Sequence, residues 1–344
     1  MATSDYLSSA DLKGVALGGL IREDVMSKIW DISKIPLPFT DIIGTGSHTN
    51  EYTSWVQDAL ASPSTSNALV DGQDVASWNN DPAGPRVGNH SQISGKAVSV
   101  STRAIASDTI EGNELSYQLM MRQQELKRDI EATMLTGQAS VADNGDTVAG
   151  KSGGLASWLT TNVSVGATGA VGGFNTGTGL TVAPSAGTKR AASETTLRDL
   201  LQQVWTNGGN PTVLMSVPAV IRGLSEYMFT STARVATLMS DTGQSATQSI
   251  AKGAVNVFVS DFGITVELTG NRLQPVVAAG VAELFILDPS LLELSYLKGV
   301  SVEPLAKTGL AEKRMMTADW TLKVLNEKGL GGYFDIDTAL AWVA

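Results

Sequence analysis

The sequence predicts an α+β fold, and three observations carry that reading. Glu114 to Leu135 repeats apolar residues at helical spacing. Several short stretches alternate apolar with polar residues, as half-buried strands do. The two kinds of segment follow one another without a regular βαβ repeat. The chain has 344 residues, 42% of them hydrophobic, which suffices for a sizeable core in two domains or one large one.

Taken in order, Asp11 to Ile32 mixes apolar and charged residues in a way that fits a short amphipathic helix. Pro36 and Pro38 then argue against helix and for an extended path. Asn50 to Leu60, with Tyr52, Trp55, Val56 and Leu60, fits a strand. Ser62 to His90 is rich in Ser, Asn, Asp, Gly and Pro and reads as a long loop with little capacity to form a core. Lys96 to Ile105 alternates again: Val98, Val100, Thr102 and Ala104 point one way, Ser99, Ser101 and Arg103 the other. Together these pieces predict a long two-stranded arm with an irregular tip. An isolated hairpin is only marginally stable in water, so such an arm needs a partner.

Within Glu114 to Leu135, Leu115, Leu119, Leu126, Ile130 and Met134 share one face. Glu125, Lys127, Arg128, Asp129 and Glu131 supply the polar side, and Gly137 is the stop. At ~1.5 Å per residue this helix is roughly 30 Å long, a strut across a domain. Ser164 to Ser193 is low in complexity and reads as a surface loop or thin β excursion. Ser193 caps a second helix that carries Leu197, Leu200, Leu201, Val204 and Trp205 and ends at Gly208-Gly209. Val213 to Val217 is a strand, and Pro218 opens a short helix through Leu224. Val255 to Val259, Ile264 to Leu268 and Glu283 to Leu287 are further strands. Trp320, Leu322 and Val324 alternate in another, before a turn at Asn326 to Gly329.

Composition narrows the chemistry. There is no cysteine, which excludes disulfides and thiolate metal sites. The net charge is −10 without a run of Lys and Arg, so there is no clustered positive field to grip phosphates. The first residues lack the basic-then-apolar pattern of a secretory signal. The longest apolar stretch, Pro275 to Leu287, is interrupted by Glu283 and is too short to span a bilayer.

Gly145-Asp146-Thr147-Val148-Ala149-Gly150-Lys151-Ser152 matches the nucleotide-loop string G-x-x-x-x-G-K-[ST]. Such a loop needs a buried strand before it and a helix starting at the Lys, whose amides then meet phosphate. Here the lead-in is polar, the lead-out is Gly153-Gly154, and Asp146 would set a carboxylate beside the phosphates, so the string is expected to be a chance match. His48 and His90, the two histidines, lie in loop-like stretches and are expected to be exposed and non-catalytic. No Ser sits in G-x-S-x-G. Asp143-Asn144-Gly145-Asp146 lacks the spacing of a calcium loop and reads as a turn. The G-x-x-G-x-x-G within Gly166 to Gly179 has no strand-to-helix context. No catalytic, cofactor-binding or metal-binding residue is expected.

A series of strings then matters through its order and spacing. It runs Glu23-Asp24-Val25, Ile35-Pro36-Leu37-Pro38-Phe39, Ile42-Ile43-Gly44 and Tyr52-Thr53-Ser54-Trp55-Val56-Gln57-Asp58. It continues with Gly88-Asn89-His90-Ser91-Gln92-Ile93, Val98-Ser99-Val100-Ser101-Thr102, Glu114-Leu115-Ser116-Tyr117-Gln118, Glu125-Leu126-Lys127-Arg128-Asp129-Ile130-Glu131 and Gly153-Gly154-Leu155-Ala156-Ser157-Trp158-Leu159. Over about residues 23 to 160 this resembles the major capsid (major head) proteins of tailed bacteriophages, with the Hong Kong 97-type fold.

The resemblance implies an N-terminal arm (1–49), an extended E-loop hairpin (50–106) and a peripheral domain (107–210) with a spine helix at 114–135. An axial domain (211–294) and a return to the peripheral domain (295–344) follow. It implies a shell subunit and not an enzyme, self-assembling as hexamers and pentamers into the icosahedral head. The head would enclose phage DNA without sequence-specific binding, and an acidic inner wall would not trap it. Assembly would take place in the bacterial host cytoplasm and the product would be the virion. The implied partners are further copies of the chain, a portal protein, a separate scaffold (the arm begins almost at once) and a decoration protein. Neither a cofactor nor a membrane is implied. Trp55, Trp78, Arg86 and Arg103 are the candidates for intersubunit contact. Trp78 stands in the polar tip, where local packing and an anchor on a neighbour are both open readings. The rivals are another virion component, such as a decoration or tail protein, and a nucleotide-binding packaging protein that rests only on the Gly-Lys-Ser string.

Overall fold

The structure is a computed structural model that describes residues 36–58, 60–61, 63–72, 74, 84–107, 114–230, 257–260, 262–307 and 309–343, with the backbone alone at 229 and 230. The helix expected within Asp11 to Ile32 and the candidate Trp78 lie outside the described residues.

The chain first forms α1 (Pro38–Ile42), with Pro38 in its first turn. A missing N–H costs nothing there, so the prolines admit a helix where an extended path was expected. β1 (Gly44–Ser47) follows, and β2 (Tyr52–Val56) pairs antiparallel with β3 (Arg86–His90). The arm is therefore closed by β3 and not by Lys96 to Ile105. That stretch divides into β4 (Gln92–Ser101), which pairs along its length with a late strand, and α2 (Thr102–Ala106), capped by the Ser101 hydroxyl accepting from Ala104 N–H. Alternation reveals that a strand has one buried face; it does not reveal the strand's partner.

α3 (Glu114–Met134) is the expected long helix, and α4 (Leu155–Trp158) is a single buried turn. The low-complexity stretch carries β5 (Val163–Ser164), β6 (Gly173–Asn175) and β7 (Leu180–Val182), a thin β excursion. Then come α5 (Glu194–Thr206), β8 (Val213–Ser216), α6 (Pro218–Thr230), β9 (Val257–Val259), β10 (Thr265–Gly270) and β11 (Val281–Leu287). Two long strands, β12 (Leu292–Pro304) and β13 (Ala311–Val324), and finally β14 (Gly331–Asp337) complete the described chain.

Two sheets organise these elements. One has the order β1-β12-β13-β4, with β1 parallel to β12 and the other pairs antiparallel. Met316, Ala318, Trp320, Leu322 and Val324 alternate along β13 into a core shared with Leu126, Ile130 and Met134 of α3. The second sheet has the order β5-β14-β11-β8-β10-β9. Leu197, Leu200, Leu201 and Val204 of α5 and Val220 and Leu224 of α6 pack against it as a second core. β11 is buried along its whole length and feeds both: Phe285 and Leu287 reach the first core, Leu284 and Ile286 the second.

The stripe on α3 is buried unevenly. Leu126, Ile130 and Met134 are almost fully buried, whereas Leu115 and Leu119 in the first half are only half-buried. Glu131, expected on the polar side, has no exposed surface. Ile130→Asp should therefore cost on the order of 4 kcal/mol, because it buries an unpaired carboxylate in the first core. Leu115→Asp should cost much less. Urea unfolding midpoints separate the two, and equal midpoints would contradict this assignment of the buried face.

Glu283 sits at a β-bulge of β11, between Ala282 and Leu284, and is 5% exposed. Burial, helped by the nearby Asp335 carboxylate, pushes its pKa from 4.5 up to about 8. Between those values the folded chain holds a proton that the unfolded chain releases, so this group's contribution to stability falls as pH rises through the window. Raising the pH from about 6 to about 9 should lower the urea midpoint, and Glu283→Gln should flatten that decline. An unchanged slope in the variant would contradict the assignment.

Candidate functional site

The residues with chemical potential are used inside the fold. In the Gly-Lys-Ser string, Asn144 Oδ1 accepts from the N–H groups of Asp146, Thr147 and Val148, at 3.0, 3.0 and 2.8 Å. The Asp143 carboxylate accepts from Gly145 N–H at 2.6 Å. The amides that would cradle a phosphate are thus turned onto the loop's own side chains, and Lys151 pairs backbone to backbone with Val141 in place of starting a helix. Ser152 is buried: its hydroxyl accepts from Leu322 N–H at 3.1 Å and from the Asn89 amide at 3.2 Å. The Asp143 to Asp146 stretch is the turn it was expected to be, and no grouping of His, Asp and Glu among the described residues could hold a metal ion.

The histidines correct an expectation, because both are half-buried at strand junctions and not exposed on loops. His48 bridges Ser295 (Nδ1, 3.0 Å) and Ser91 (Nε2, 2.8 Å). Its pKa is lowered by burial first and by the Lys323 charge second. His90 ends β3 with its ring against Tyr52, and burial lowers its pKa too.

The hairpin β2–β3 is the part of the structure that reaches out, and its base is held by a set of specific bonds. Asn89, fully buried, donates to Leu322 O (2.7 Å) and Gly153 O (3.2 Å) and accepts from Gly153 N–H (2.8 Å). It joins the hairpin to β13 and to the loop after α3. The Trp55 indole donates to Leu325 O (3.2 Å) and stacks on Trp158 at 5.6 Å. Gln57 donates to the same carbonyl (2.9 Å), and Tyr52 to Gly179 O (3.3 Å). At Gly84 any Cβ would strike the Gln57 carbonyl, so only glycine lets the two strands leave the base this close together.

Beyond that base, Leu60, Leu69 and Val70 stand 99%, 81% and 75% exposed. Of the contact candidates, Arg86 is exposed and donates to Ser54 Oγ at 2.9 and 2.6 Å. Arg103 is exposed on α2. Trp55 is half-buried, and its ring is engaged within its own subunit. Trp55 and Arg86 share the hairpin β2–β3 and Arg103 lies apart on α2, while Trp78 lies outside the described residues. Sequence reasoning missed Asn89 and Glu131. A buried Asn in a short, glycine-containing strand gives no periodic signal, and Glu131 sits among four charged neighbours that belong on the polar side.

Comparison with known proteins places this architecture. The family model described as SU10 major capsid protein matches residues 4–337. The major capsid protein of Escherichia phage Phieco32 is 38% identical over 103 residues, a match that spans 30% of this chain and only 29% of that relative's length. Among solved structures, the capsid of a native GTA particle superposes with a TM-score of 0.60 at 11% identity, covering 98% of this chain and 100% of its own. The holo-SrpI encapsulin complex of Synechococcus elongatus PCC 7942 gives 0.57 at 13% identity, with 93% and 94% covered. A structure from Mycobacterium phage Adephagia gives 0.56 at 14%, with 96% and 98% covered. At such low identities these structures speak for the fold, which is of the Hong Kong 97 type. The match to the family model runs through nearly the whole sequence, and the chain belongs to the SU10 major capsid protein family.

Proposed function

We propose that this chain builds the phage head shell by associating with copies of itself through the segment of the arm beyond its buried base. The sheet β1-β12-β13-β4 with α3 serves as the peripheral domain. The sheet β5-β14-β11-β8-β10-β9 serves as the axial domain, around which hexamers and pentamers close. Segment 57–85 serves as the E-loop laid over a neighbour. One observation carries the reading: the hairpin is fixed at its base by Tyr52, Trp55, Gln57 and Asn89, while Leu60, Leu69 and Val70 beyond it are apolar and exposed.

A well-held base with a few exposed apolar side chains beyond it suits association by many weak, geometrically matched contacts repeated around closed symmetry. In this arrangement Trp55 aims the loop, and Arg86 and Arg103 are offered to neighbours. No helix among the described residues is long and apolar enough to cross a membrane, and none is needed. The same reading carries a portal protein, a scaffold and a decoration protein as partners. It carries enclosed DNA held without sequence-specific contact, non-enzymatic chemistry and assembly in the host cytoplasm. The Gly-Lys-Ser string has no part in it, because its amides are already engaged.

The test is to replace residues 60–82 with a short Gly-Ser turn, leaving Gly84 and β3 intact. The subunit should keep its circular-dichroism spectrum, and electron microscopy and sedimentation should find no closed shells. Unfolded protein would mean that the segment belongs to the core. Normal shells would remove the E-loop assignment.

A further inference from the structure

The sequence holds two Asn-Gly bonds, Asn144-Gly145 and Asn207-Gly208, and both are exposed. Such a bond carries its own chemistry. The glycine nitrogen, with no side chain beside it to hinder approach, gives up its proton and bonds to the asparagine Cγ. The Cγ–Nδ2 bond breaks, ammonia leaves with that proton, and a cyclic succinimide remains. Water then opens either carbonyl of the ring. The product is aspartate, or an isoaspartyl residue in which the main chain runs through the former side chain. Ring closure needs the nitrogen free and the side chain turned back onto it.

The fold opposes both conditions. Gly145 N–H donates to the Asp143 carboxylate at 2.6 Å, and Gly208 N–H donates to Trp205 O at 3.0 Å. Asn144 Oδ1 accepts from the N–H groups of Asp146, Thr147 and Val148, and its Nδ2 donates to Thr147 Oγ1 at 3.2 Å. The side chain is thus committed to residues further along the loop. Asn207 Nδ2 donates to Asn162 Oδ1 at 2.7 Å.

The two guards differ in what must yield. Asn207 closes α5 just after the buried Val204, and Gly209 behind it lies so near Gly329 that any Cβ there would strike it. The Asn144 loop is exposed from Ala142 to Ala149, and the bonds that hold its tip lie within the loop itself. A segment closed only by its own exposed hydrogen bonds opens far more often than one packed on a core.

We propose that Asn144 is a self-guarded modification site, the first position at which this chain converts asparagine to isoaspartate. While the loop is closed the site is silent, and each opening that frees Gly145 N–H exposes it to cyclisation. The isoaspartyl product cannot close again, because the lengthened main chain takes Oδ1 away from the three amides built around it. The change falls beside the base of the hairpin. Lys151 pairs with Val141 at the foot of the loop, and the next residue, Ser152, accepts from the Asn89 amide.

The test incubates the full-length protein, folded and in urea, at the same neutral pH. Digestion and mass spectrometry then follow acid formation at each asparagine. In urea both sites should convert at comparable rates. In the folded chain both should slow roughly tenfold or more, with Asn144 ahead of Asn207. Conversion at Asn144 as fast in the folded chain as in urea, or Asn207 converting first, would overturn the proposal. Asp143→Ala should raise the folded rate at Asn144 severalfold and leave Asn207 and the urea rates unchanged. No rise would overturn the guard assigned to Asp143. A variant that fails to fold is recognised by fast conversion at Asn207 as well, and the wild-type comparison then decides alone.

Discussion

A carboxylate can be taken fully out of water only where donors are fixed to meet it, and the fold is arranged around one such group. Glu131, on the last turn of α3, has no exposed surface. Its oxygens accept from Phe39 N–H and Thr40 N–H, each at 3.3 Å, and from the Asn271 amide at 2.7 Å. Phe39 and Thr40 open α1, a helix too short to persist alone and without its own side-chain cap. The carboxylate takes the place of that cap, and Phe39 beneath it is fully buried. Asn271 in turn reaches β8 through its N–H to Ser216 O at 2.8 Å. One side chain thus ties the incoming chain, the long helix and the six-stranded sheet together. Burial raises its pKa, and the hydrogen bonds pull the other way.

This tie separates what the sequence disclosed from what it hid. The long helix, α5 and β10 were legible because their apolar residues recur at the period of the element, and β8 and β11 because they are short, nearly continuous apolar runs buried at every position. Glu131 was hidden by the same reasoning: periodicity assigns a charged residue to the wet face, and only a partner 92 positions away along the chain reverses that. The pairing of β4 was hidden for a related reason. Its alternation is plain, but its partner β13 lies more than two hundred residues later, and the nearer hairpin was the simpler guess. β12 escaped notice because bulges after Tyr296 and Lys298 break its alternation and Gly299 interrupts it.

The projecting segment proposed for contact was legible in its composition but not in how its base is held. A stretch of Ser, Asn, Asp, Gly and Pro has little capacity to build a core, and in the structure its Leu69 and Val70 are exposed, while Val87 on β3 is drawn into the first core. What composition could not reveal is how firmly its base is set. Asn89 and Ser152 sit in strings that look like a loop and a nucleotide motif, yet they fasten the hairpin to β13. In the proposed reading the arm transmits a contact only if its root does not yield, which gives the polar network at the base a part in association beside the tip. The acidic character of the chain is a separate property, a net charge of −10 without a run of Lys and Arg in the sequence.

The central claim is that Glu131 couples α1 to the six-stranded sheet through α3, and hydrogen exchange on Glu131→Gln measures it most directly. The amide substitution keeps the volume but sets an NH2 group against donors that need an acceptor. The account predicts faster exchange at residues 39–41 and at 271–274 together, while β13 stays protected. Faster exchange at only one of those two segments, or at neither, would contradict it.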